Sequence, residues 1–517
     1  MKRILTWLIL LVLLAGCRTL SPQPTQPVVN TSASSPTPVV SFIPQGNIPA
    51  PSLFPVAWNE RSDFLPGLTD PALADQLPGA TIYHIHLNIG DDLASLTGQM
   101  EVCYTNQDPI ALDSVYFRLL PNLYGASMKV PWVTVNQTPA ETGLENAGSV
   151  LRVNLPAPLD PGAAVVIQMK FEVELPPGGG NGMNFVYNED ILALAQFYPM
   201  IPVYDETGWH VEIPSPSGDP TFTDPAYFRV LVSAPAKYTL VSSGMEEDPV
   251  IQETRQTQVF RAGPVRDFYL AGGNGYSAIT HNLDGVVINS YTLPGEAGGA
   301  SLALETAAAA IQSFSQRFAA YPYTEFDIVT MPTGVLGIEY PGLTAIRSGL
   351  YDLDNNLRGT PNAIYLESTV AHEVGHQWFY NLVGNDQLNE PWLDEAVTQY
   401  ITGLYFLDTH GEQGEQGYVD SWFGRWDRVG REEIPVGMPV SEYDATNSYG
   451  AIVYGRGPIF LAVLAEEMGI DTFHQFLQAY VRKYAWDIAD TAEFKTLAEE
   501  TCQCNLTPLF EEWVYGD

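Results

Sequence analysis

The chain has 517 residues, of which 45% are hydrophobic, so it is long and apolar enough to form more than one packed core. Its formal net charge of −37 and its pI near 4.3 argue against a nucleic-acid partner. Only 16% of the residues are charged, so the acidity reflects scarce lysine and favours solubility outside the cell over a special acidic function.

The N-terminus has the features of a targeting segment. Lys2 and Arg3 precede an apolar run over residues 4–14, which is too short to span a membrane and is typical of a signal peptide. The tetrapeptide Leu-Ala-Gly-Cys that ends at Cys17 resembles the bacterial lipobox, in which the cysteine is acylated and becomes the first mature residue. We therefore predict a lipoprotein signal peptide over residues 1–17, with ordinary secretory cleavage as the alternative.

Lipidation at Cys17 would anchor the protein to a membrane without a transmembrane helix. The expected location is extracytoplasmic, at the cell surface or in the periplasm. Residues 18–53 are rich in Pro, Ser, Thr and Gln, and they cannot bury enough apolar surface to fold. We predict that they form a disordered tether.

Residues 54–278 predict a domain of β-structure. Short runs of alternating apolar and polar residues are punctuated by Pro-Gly, Gly-Gly and Asn-Gly, and helical periodicity is poor. The strand predicted over residues 81–88 carries His84 and His86 on its polar face. Such a pair could bind a metal, but histidines in this position are more often solvated, which is what we expect here.

The strand-like alternation ends near residue 279, and the helical spacing of apolar residues that follows predicts a second domain over residues 279–517. Residues 300–320 are rich in alanine with helical spacing of the apolar side chains. Strands then alternate with long helices, which are predicted over residues 361–382, 393–407 and 454–468. Asp490 and Glu493 form a capping box at the start of the last clear helix.

The segment His372-Glu373-Val-Gly-His376 predicts a zinc site. On a helix, His372 and His376 lie one turn apart on the same face and can bind one Zn²⁺ at about 2.0–2.1 Å. Glu373 can reach a metal-bound water without being a ligand. Eighteen residues separate His376 from Glu395, which would be the third ligand and leave a fourth position open, as in catalytic zinc sites. A surface helix with two histidines is the alternative, but the surrounding residues are too apolar for it.

These residues resemble the zinc aminopeptidases of the gluzincin class, the aminopeptidase N and leukotriene hydrolase family. The family pattern is H-E-x-x-H-Q-W-F-x-N, followed about eighteen residues later by W-L-N-E-G. This chain continues with Gln377-Trp378-Phe379-Tyr380-Asn381 and then has Trp392-Leu393-Asp394-Glu395-Ala396. Asp394 and Ala396 depart from the usual Asn and Gly, and neither departure is expected to touch a ligand.

The resemblance runs from about residue 190 to the end of the chain and implies an α+β multidomain fold. An N-terminal antiparallel β-sandwich-like domain would be followed by a thermolysin-like α/β catalytic domain with a mostly helical C-terminal half. One zinc ion per chain would be held by His372, His376 and Glu395, and Glu373 would be the general base.

The resemblance also implies roles for residues outside the zinc motif. The family carries Tyr-x-Lys/Arg-Gly some eighty residues after the motif, and its tyrosine stabilises the transition state. Tyr454, in Tyr454-x-Arg456-Gly457, is the matching residue and our candidate oxyanion donor. A tyrosine used only for packing is the alternative.

The family's Gly-x-Met-Glu-Asn strand binds the α-ammonium group of the substrate through its Glu. Here the segment reads Gly337-Ile338-Glu339-Tyr340, so Gly337 and Glu339 are the candidate substrate-binding residues. Gln196 is a further candidate for a polar contact with the first substrate residue. A Glu on an ordinary edge strand is the alternative, and Ile338 and Tyr340 replace the usual Met and Asn.

The cysteines other than Cys17 do not indicate a metal site, because there is no second pair. Cys502 and Cys504 could close a tight local loop in an extracytoplasmic protein. We expect Cys103, in a β-type segment, to be a buried and unpaired thiol.

The sequence therefore predicts a surface-tethered, zinc-dependent aminopeptidase that acts on oligopeptides. One alternative is an epoxide hydrolase of the leukotriene type, which needs the same zinc site and also a lipid channel. The other is a non-catalytic peptide-binding surface lipoprotein, which should have lost Glu373 or a ligand. The sequence does not indicate the oligomeric state.

Overall fold

The computed structural model describes residues 48–176, 185–187, 190–443 and 448–516, without the side chain of Val186. The described residues belong to one structural unit, which spans residues 41–517. The predicted signal peptide, Cys17 and most of the predicted tether lie outside the described residues.

Strands dominate the N-terminal part, as the alternating sequence predicts. The described strands are β1 (Ile82–Ile89), β2 (Ser95–Thr105), β3 (Leu112–Arg118), β4 (Ser127–Val135), β5 (Thr138–Pro139), β6 (Thr142–Glu145), β7 (Val150–Leu159), β8 (Ala164–Glu174), β9 (Phe185–Tyr187), β10 (Ile191–Leu194), β11 (Tyr204–Asp205), β12 (Gly208–Trp209), β13 (Ala226–Pro235), β14 (Tyr238–Ser242), β15 (Met245–Glu246), β16 (Val250–Gln252), β17 (Arg255–Val265) and β18 (Leu270–Asn274).

These strands form one large sheet and smaller ones. The large sheet has the order β15-β17-β13-β1-β2-β8-β4-β5, with β16 also paired to β17. Two smaller sheets have the orders β14-β18-β10-β9 and β3-β7-β6. Apart from the parallel pair of β1 with β13, the pairs in these sheets are antiparallel, as predicted. In the second half of β8, from Met169 to Glu174, buried and exposed side chains alternate, so there one face of the sheet is packed and the other is solvated.

The prediction that His84 is solvated is wrong. Its side chain is fully buried, because Trp58 and Phe54 cover this face of β1 with ring centroids 4.7 and 5.1 Å from the imidazole. The ring nitrogens lie 3.2 Å from Glu101 Oε1 and 3.0 Å from Arg229 Nη1. His84 is therefore part of a buried polar network, whereas His86 is half-buried.

The end of the predicted tether also packs on this sheet. The backbone amides of Ser52 and Leu53 donate to the Glu101 carboxylate at 2.9 and 2.8 Å. A buried carboxylate needs such donors, and the nearest ones come from the segment just before Phe54. The tether prediction therefore fails for Ser52 and Leu53.

The C-terminal part combines a small sheet with long helices. Its described strands are β19 (Ser277–Leu283), β20 (Val286–Thr292), β21 (Glu325–Met331), β22 (Gly337–Tyr340), β23 (Leu343–Arg347), β24 (Asn356–Leu357) and β25 (Thr360–Pro361). Its described α-helices are α1 (Ala297–Arg317), α2 (Asn362–Gly375), α3 (Glu395–Trp426), α4 (Ser448–Ala451), α5 (Gly457–Met468), α6 (Ile470–Lys483), α7 (Thr491–Cys502) and α8 (Thr507–Phe510).

Short helical turns complete the described structure. They are the 3₁₀ turns Leu65–Gly67, Pro71–Asp75, Leu120–Leu123, Asn146–Gly148, Ser348–Tyr351, Pro391–Leu393, Asp427–Val429 and Val440–Glu442, and the π-helices Ile452–Arg456 and Glu511–Tyr515.

The five-stranded sheet of the C-terminal part has the order β19-β20-β21-β23-β22. Its centre is parallel, through β20 with β21 and β21 with β23, whereas β22 is an antiparallel edge strand. Helix α1 follows β20 and packs against α2, and its many alanines allow this close approach. The sheet thus presents its edge strand β22 beside the helix that carries the zinc motif.

Helix α2 is shorter than predicted. It ends at Gly375, and the amides of Asn381 and Leu382 bond to carbonyls five residues back, at 3.1 and 3.2 Å. Tyr380 adopts a φ of 123°, which no α-helix contains. Sequence periodicity did not reveal this break because the residues after it, such as Trp378, are also buried.

Helix α3 is longer than predicted and folds back on itself. Gly411 has a φ of 69° and interrupts the helix, so the two arms pack against each other. Phe406 stacks on Tyr418 at 4.9 Å, and the Tyr418 hydroxyl donates to Gln399 Oε1 at 2.6 Å. The second arm thereby returns towards Glu395, where α3 begins.

Arg266 connects the β-rich part to the helical part. Its guanidinium is buried and donates to the carbonyls of Asn381 at 3.0 Å, Thr223 at 3.1 Å and Asp487 at 2.6 Å. Asn381 lies five residues after His376, so a side chain from the β-rich part fixes the backbone shortly after the zinc motif.

The cysteine predictions agree with the structure. Cys502 and Cys504 form a disulfide bond, and Cys103 is free and buried in β2. One described helical stretch, Ser448–Met468, is long and apolar enough to cross a membrane. Since 72% of its most apolar window is buried inside the protein, it has the character of a core helix. The predicted capping box of Asp490 and Glu493 is present at the start of α7.

Candidate metal centre and substrate cavity

The side chains of His372, His376 and Glu395 converge in a buried site. His372 Nε2 lies 3.1 Å from Glu395 Oε2 and 3.2 Å from His376 Nε2, and His376 Nε2 lies 3.5 Å from Glu395 Oε2. His372 comes from the last turn of α2, His376 from the residue after it, and Glu395 from the first residue of α3. The structure thus brings together the three predicted ligands.

The protonation states of His372 and Glu395 suit a metal. Burial lowers the pKa of His372 to about 4, so its imidazole is neutral at pH 7. Burial opposes a charge on Glu395, but hydrogen bonds with His372 and His376 outweigh it and hold the pKa of this carboxyl below its ordinary value. The neutral imidazole of His372 and the ionised carboxylate of Glu395 are in the forms that bind metals.

The geometry fits zinc. A tetrahedral site with bonds of about 2.0–2.1 Å separates its ligand atoms by about 3.3–3.4 Å, close to the three distances between these donors. His376 Nδ1 lies 2.5 Å from Asp394 Oδ1, so its proton is on the Asp394 side and its Nε2 lone pair is free for the metal. Two imidazoles and one carboxylate are a common catalytic zinc set.

The contact with Asp394 corrects the expectation that this departure from the family pattern does not touch a ligand. Asp394 is buried, and its second oxygen accepts a hydrogen bond from Gln387 Nε2. Burial opposes a charge on His376, but the carboxylates of Asp394 and Glu339 hold the pKa of this imidazole well above its usual range. Asp394 therefore orients His376 and makes it a more basic ligand.

Glu373 lies beside the metal site and faces Gly337 of β22. A Cβ atom added at Gly337 would lie 2.4 Å from Glu373 Oε1 and 2.7 Å from Thr369 Cγ2. The glycine therefore leaves the space that the Glu373 carboxylate occupies. Burial raises the pKa of Glu373 to about 8, although the neighbouring His376 opposes this shift. A carboxylate with a raised pKa is suited to accepting a proton near neutral pH.

Tyr454 reaches the same site from the π-helix Ile452–Arg456. Its hydroxyl donates a hydrogen bond to Glu395 Oε1, and its ring centroid lies 6.0 Å from that of His372. The Glu395 oxygen that Tyr454 contacts is not the one that faces the histidines. Burial and the Glu395 carboxylate raise the pKa of Tyr454 well above its usual value, so the hydroxyl keeps its proton.

Glu339 lies on the edge strand β22, on the side of the cavity next to His376. Its side chain is buried, and Gln387 Nε2 lies 3.5 Å from its Oε1. Burial and the nearby carboxylate of Asp219 raise the pKa of Glu339 well above its usual value. Burial and Glu395 raise the pKa of Asp219 in turn, to about 8. A cation bound at this end of the cavity would favour the ionised forms of both carboxyls.

Gln196 contributes to a neighbouring small cavity instead of the main one. Its Nε2 donates to Thr221 Oγ1 at 3.2 Å and lies 3.4 Å from Asp267 Oδ2. The small cavity is lined by Glu339 and Asp219 as well, so these two carboxylates separate Gln196 from the metal site. A role for Gln196 in substrate binding stays a prediction.

One cavity of about 340 Å³ contains the metal site. The residues that line it are Gly218, Asp219, Val335, Leu336, Gly337, Ile338, Glu339, Tyr365, Ser368, Thr369, His372, Glu373, His376, Glu395, Gln399, Tyr418, Arg425, Arg428, Tyr449, Gly450 and Tyr454. The predicted residues Glu373, Tyr454, Glu339 and Gly337 thus share one cavity with the three ligands.

Several residues of this site were missed from the sequence. Asp219 comes from a loop of the β-rich part, and its position depends on tertiary contacts alone. Arg425 and Arg428 lie far along the chain from the motif and reach the cavity only because α3 folds back. Asp394 could have been predicted from the sequence as a neighbour of the metal site, since it directly precedes the third ligand.

The chain matches known peptidases in sequence. Residues 302–513 match the Peptidase family M1 domain. The chain is 27% identical over 312 residues to Aminopeptidase M1-B of Oryza sativa subsp. japonica, covering 57% of this chain and 35% of the rice protein. It is 25% identical over 309 residues to Endoplasmic reticulum aminopeptidase 1 of Homo sapiens, covering 57% of this chain and 31% of the human protein. The chain spans about a third of the length of these curated relatives.

The fold matches a solved peptidase. An M1 zinc metallopeptidase from Deinococcus radiodurans superposes with a TM-score of 0.64 at 20% sequence identity, covering 84% of this chain and 93% of the other. At this identity the likeness establishes the fold, which agrees with the predicted β-rich domain and thermolysin-like domain. Residues 302–513 are therefore a peptidase family M1 domain.

Proposed function

We propose that this protein is a zinc-dependent aminopeptidase that removes N-terminal residues from oligopeptides. The observation that carries the proposal is the position of Glu339, a buried carboxylate that shares the cavity with the three metal ligands and lies next to His376. A peptide whose α-ammonium pairs with Glu339 would have its first carbonyl near the metal site. Cleavage after the first residue follows from that arrangement.

Different residues around the metal site would transfer the proton and stabilise the oxyanion during hydrolysis. Zinc, when bound, polarises the scissile carbonyl and acidifies a water molecule. The Glu373 carboxylate accepts a proton from the attacking water and returns it to the leaving amine. The Tyr454 hydroxyl, which keeps its proton, is a donor for the oxyanion that develops on the scissile carbonyl. Without a bound substrate, this hydroxyl is oriented by the hydrogen bond that it donates to Glu395 Oε1.

Two carboxylates favour a free N-terminus over a blocked one. Glu339 is buried, and Asp219 lines the same end of the cavity. Burial raises the pKa of both carboxyls, and the Asp219 carboxylate raises that of Glu339 further, so an ammonium group bound between them would favour their ionised forms. A neutral acetylated terminus would leave the pair unpartnered, which is unfavourable in a buried site.

The comparisons support peptides as the substrate class. The relatives in rice and human are named aminopeptidases, and one Deinococcus radiodurans structure holds a Tyr-Ser-Ala substrate. The epoxide-hydrolase alternative gains no support from these comparisons. The non-catalytic alternative is disfavoured because Glu373 and all three ligands are present and converge.

The metal prediction is tested by substitution of a ligand. Purified protein is expected to contain about one zinc per chain, and His376→Ala is expected to weaken zinc binding more than about 100-fold, since even neighbours of ligands contribute 10–100-fold. Metal analysis and competition with a chelator measure both values. His281→Ala, which changes an exposed histidine on β19, is the matched control. Zinc affinity of wild-type strength in the His376 variant would exclude this ligand set.

The catalytic roles are tested by two conservative substitutions. Glu373→Gln is expected to keep zinc but lower kcat at least about 100-fold, because the amide cannot accept a proton. Tyr454→Phe is expected to lower kcat by on the order of 10²–10³ through loss of the oxyanion donor. Steady-state kinetics with a fluorogenic amino-acid amide measure both effects. Tyr449→Phe, which removes a neighbouring hydroxyl, is the control for Tyr454, and equal losses in both variants would reject a specific role for Tyr454.

The exopeptidase mode is tested with blocked substrates. Free peptides are expected to be shortened one residue at a time, whereas N-acetylated peptides are cleaved poorly because Glu339 has no ammonium to bind. Glu339→Gln is expected to lower kcat/KM for free peptides about 10- to 100-fold, the range for a hydrogen bond to a charged group. Mass spectrometry of the products gives the cleavage positions. Internal cleavage of blocked and free peptides at equal rates would identify an endopeptidase instead.

We also propose that Cys17 carries lipid and anchors the protein to a membrane outside the cytoplasm. The support is the sequence Leu-Ala-Gly-Cys after a short apolar leader. Mass spectrometry of the mature N-terminus, with Cys17→Ser as the matched variant, tests this proposal. A diacylglyceryl-modified Cys17 is the expected result, and an unmodified N-terminus beyond residue 17 would indicate simple secretion.

A further inference from the structure

The side chain of Gln387 lies between the metal site and the proposed ammonium site. It comes from the loop that connects the zinc motif to the third ligand, and it is only 3% exposed. Its Nε2 donates a hydrogen bond to Asp394 Oδ2 and lies 3.5 Å from Glu339 Oε1. One carboxamide thus contacts two carboxylates that have different roles in the proposed function.

These two carboxylates lie close to each other and to a metal ligand. One donor atom from each of Glu339, Asp394 and His376 lies within 4.8 Å of the other two. All three side chains are buried, so little water screens the repulsion between two ionised carboxylates. Among the described side chains, Gln387 is the one within hydrogen-bond distance of Glu339. Its amide therefore supplies a donor that this arrangement needs.

The orientation of the amide follows from its surroundings. If its oxygen and nitrogen were exchanged, Gln387 Oε1 would face both carboxylates and be repelled by them, so Nε2 must face them. Within the described part of the chain, Oε1 has no hydrogen-bond partner although it is buried. An unpaired buried oxygen costs free energy, which the two donor contacts must offset. This pattern is expected of a side chain that is kept for its donors.

The loop around Gln387 is fixed by its own hydrogen bonds. The Asp386 carboxylate accepts from the backbone amides of Leu388 and Asn389 at 3.0 and 3.1 Å. The Leu388 carbonyl accepts from the backbone amide of Val440 at 2.9 Å. A side chain on such a loop has little freedom to follow the carboxylates, so it can hold them in place.

On the metal side, the amide acts through Asp394. Asp394 Oδ1 accepts the proton of His376 Nδ1 at 2.5 Å, which leaves Nε2 of this imidazole for the metal. The Asp394 carboxylate can rotate about its Cβ–Cγ bond, and the hydrogen bond from Gln387 opposes this rotation. Neighbours that orient a ligand typically change metal affinity about 10- to 100-fold.

On the substrate side, the amide gives Glu339 a donor without adding charge. A lysine or arginine in the same place would form a permanent ion pair with Glu339 and compete with the α-ammonium of a peptide. The neutral amide leaves the positive charge to be supplied by the substrate. Because Glu339 lies on the edge strand β22, the contact also fixes this strand relative to the metal ligand.

We propose that Gln387 is a positioning residue that sets the distance between the ammonium anchor Glu339 and the metal ligand His376. The inference rests on the proposed aminopeptidase function and adds to it a residue outside the zinc motif. Gln387 acts through Glu339 on one side and through Asp394 on the other. A peptide needs both points in register to bring its first carbonyl to the metal, and loss of the amide loosens both.

The test uses Gln387→Met in the full-length protein, which keeps the length of the side chain and removes both donors. Zinc affinity, measured by competition with a chelator, is expected to fall about tenfold. The ratio of kcat/KM for a free peptide to that for its N-acetylated form is also expected to fall about tenfold. The matched control is Gln256→Met, which removes a buried amide that donates to the Tyr238 carbonyl at 2.6 Å. It is expected to keep both wild-type values.

Two double variants separate positioning from a general loss of stability. In a Glu339→Gln background, Gln387→Met is expected to leave the free-to-acetylated ratio unchanged, because the amide acts on this ratio through Glu339. In an Asp394→Ala background, it is expected to leave zinc affinity unchanged, because Asp394 transmits that effect. A residue with only a structural role would lower both values in every background. The ratio is measured within each variant, so partial loss of folded enzyme does not affect it.

Gln387→Glu is the second variant, since it keeps the shape of the side chain and replaces the donor by an acceptor. Both values are expected to fall in it as well. Wild-type zinc affinity together with a wild-type ratio in either variant would overturn the inference, and so would effects that persist in the double variants. Failure of both variants to fold would make Gln387 a structural residue and would also reject it.

Failure of the proposed function has a different signature. If the wild-type protein does not cleave free peptides, the aminopeptidase proposal is wrong, whatever the variants show. The zinc measurements do not depend on cleavage, so they still decide whether Gln387 positions His376 through Asp394.

Discussion

The convergence of two imidazoles and a carboxylate in a buried site is the constraint on which the rest of this fold depends. Groups of this kind are costly to bury unless each has a partner, and here His372, His376 and Glu395 are partners for one another and for a metal. The end of α2 and the start of α3 must therefore meet closely. Gly375, the last residue of α2, permits this approach, because a Cβ atom there would lie 2.8 Å from Thr398 Cγ2 in the first turn of α3.

Charge is distributed unevenly around this centre. Carboxylates that face one another cannot all be ionised in a buried site, so Asp219, Glu339 and Glu373 share raised pKa values. Such a group stores unfavourable energy that a bound cation would release. The protein as a whole is strongly acidic, but the chemistry of the cavity depends on the few charged side chains that line it. The net charge of the chain therefore does not indicate the charge inside the metal cavity.

The sequence predicted best those features that depend on local spacing. Residues four apart on a helix, such as His372 and His376, lie on the same face of the helix in any fold. Alternation of apolar and polar residues likewise predicts strands, and so a β-rich domain, from the sequence alone. Features that depend on tertiary packing were missed or wrong. His84 was expected in solvent because nothing near it in sequence shows that Trp58 covers it. The contact of Asp394 with His376 joins residues eighteen apart, and the reversal at Gly411 looks like ordinary helix in a periodicity analysis.

The Arg266 guanidinium has a consequence for how this protein can be shortened. It is contributed by the β-rich part, yet it satisfies backbone carbonyls at Asn381 and Asp487 in the helical part. A polypeptide that begins at residue 279 would contain every metal ligand but would leave these carbonyls without their donor. The β-rich part thus supplies hydrogen-bond donors that the helical part needs, and we expect the helical part to be less stable without it. A shortened protein that is meant to keep the metal site must therefore also keep Arg266 and the strands that hold it.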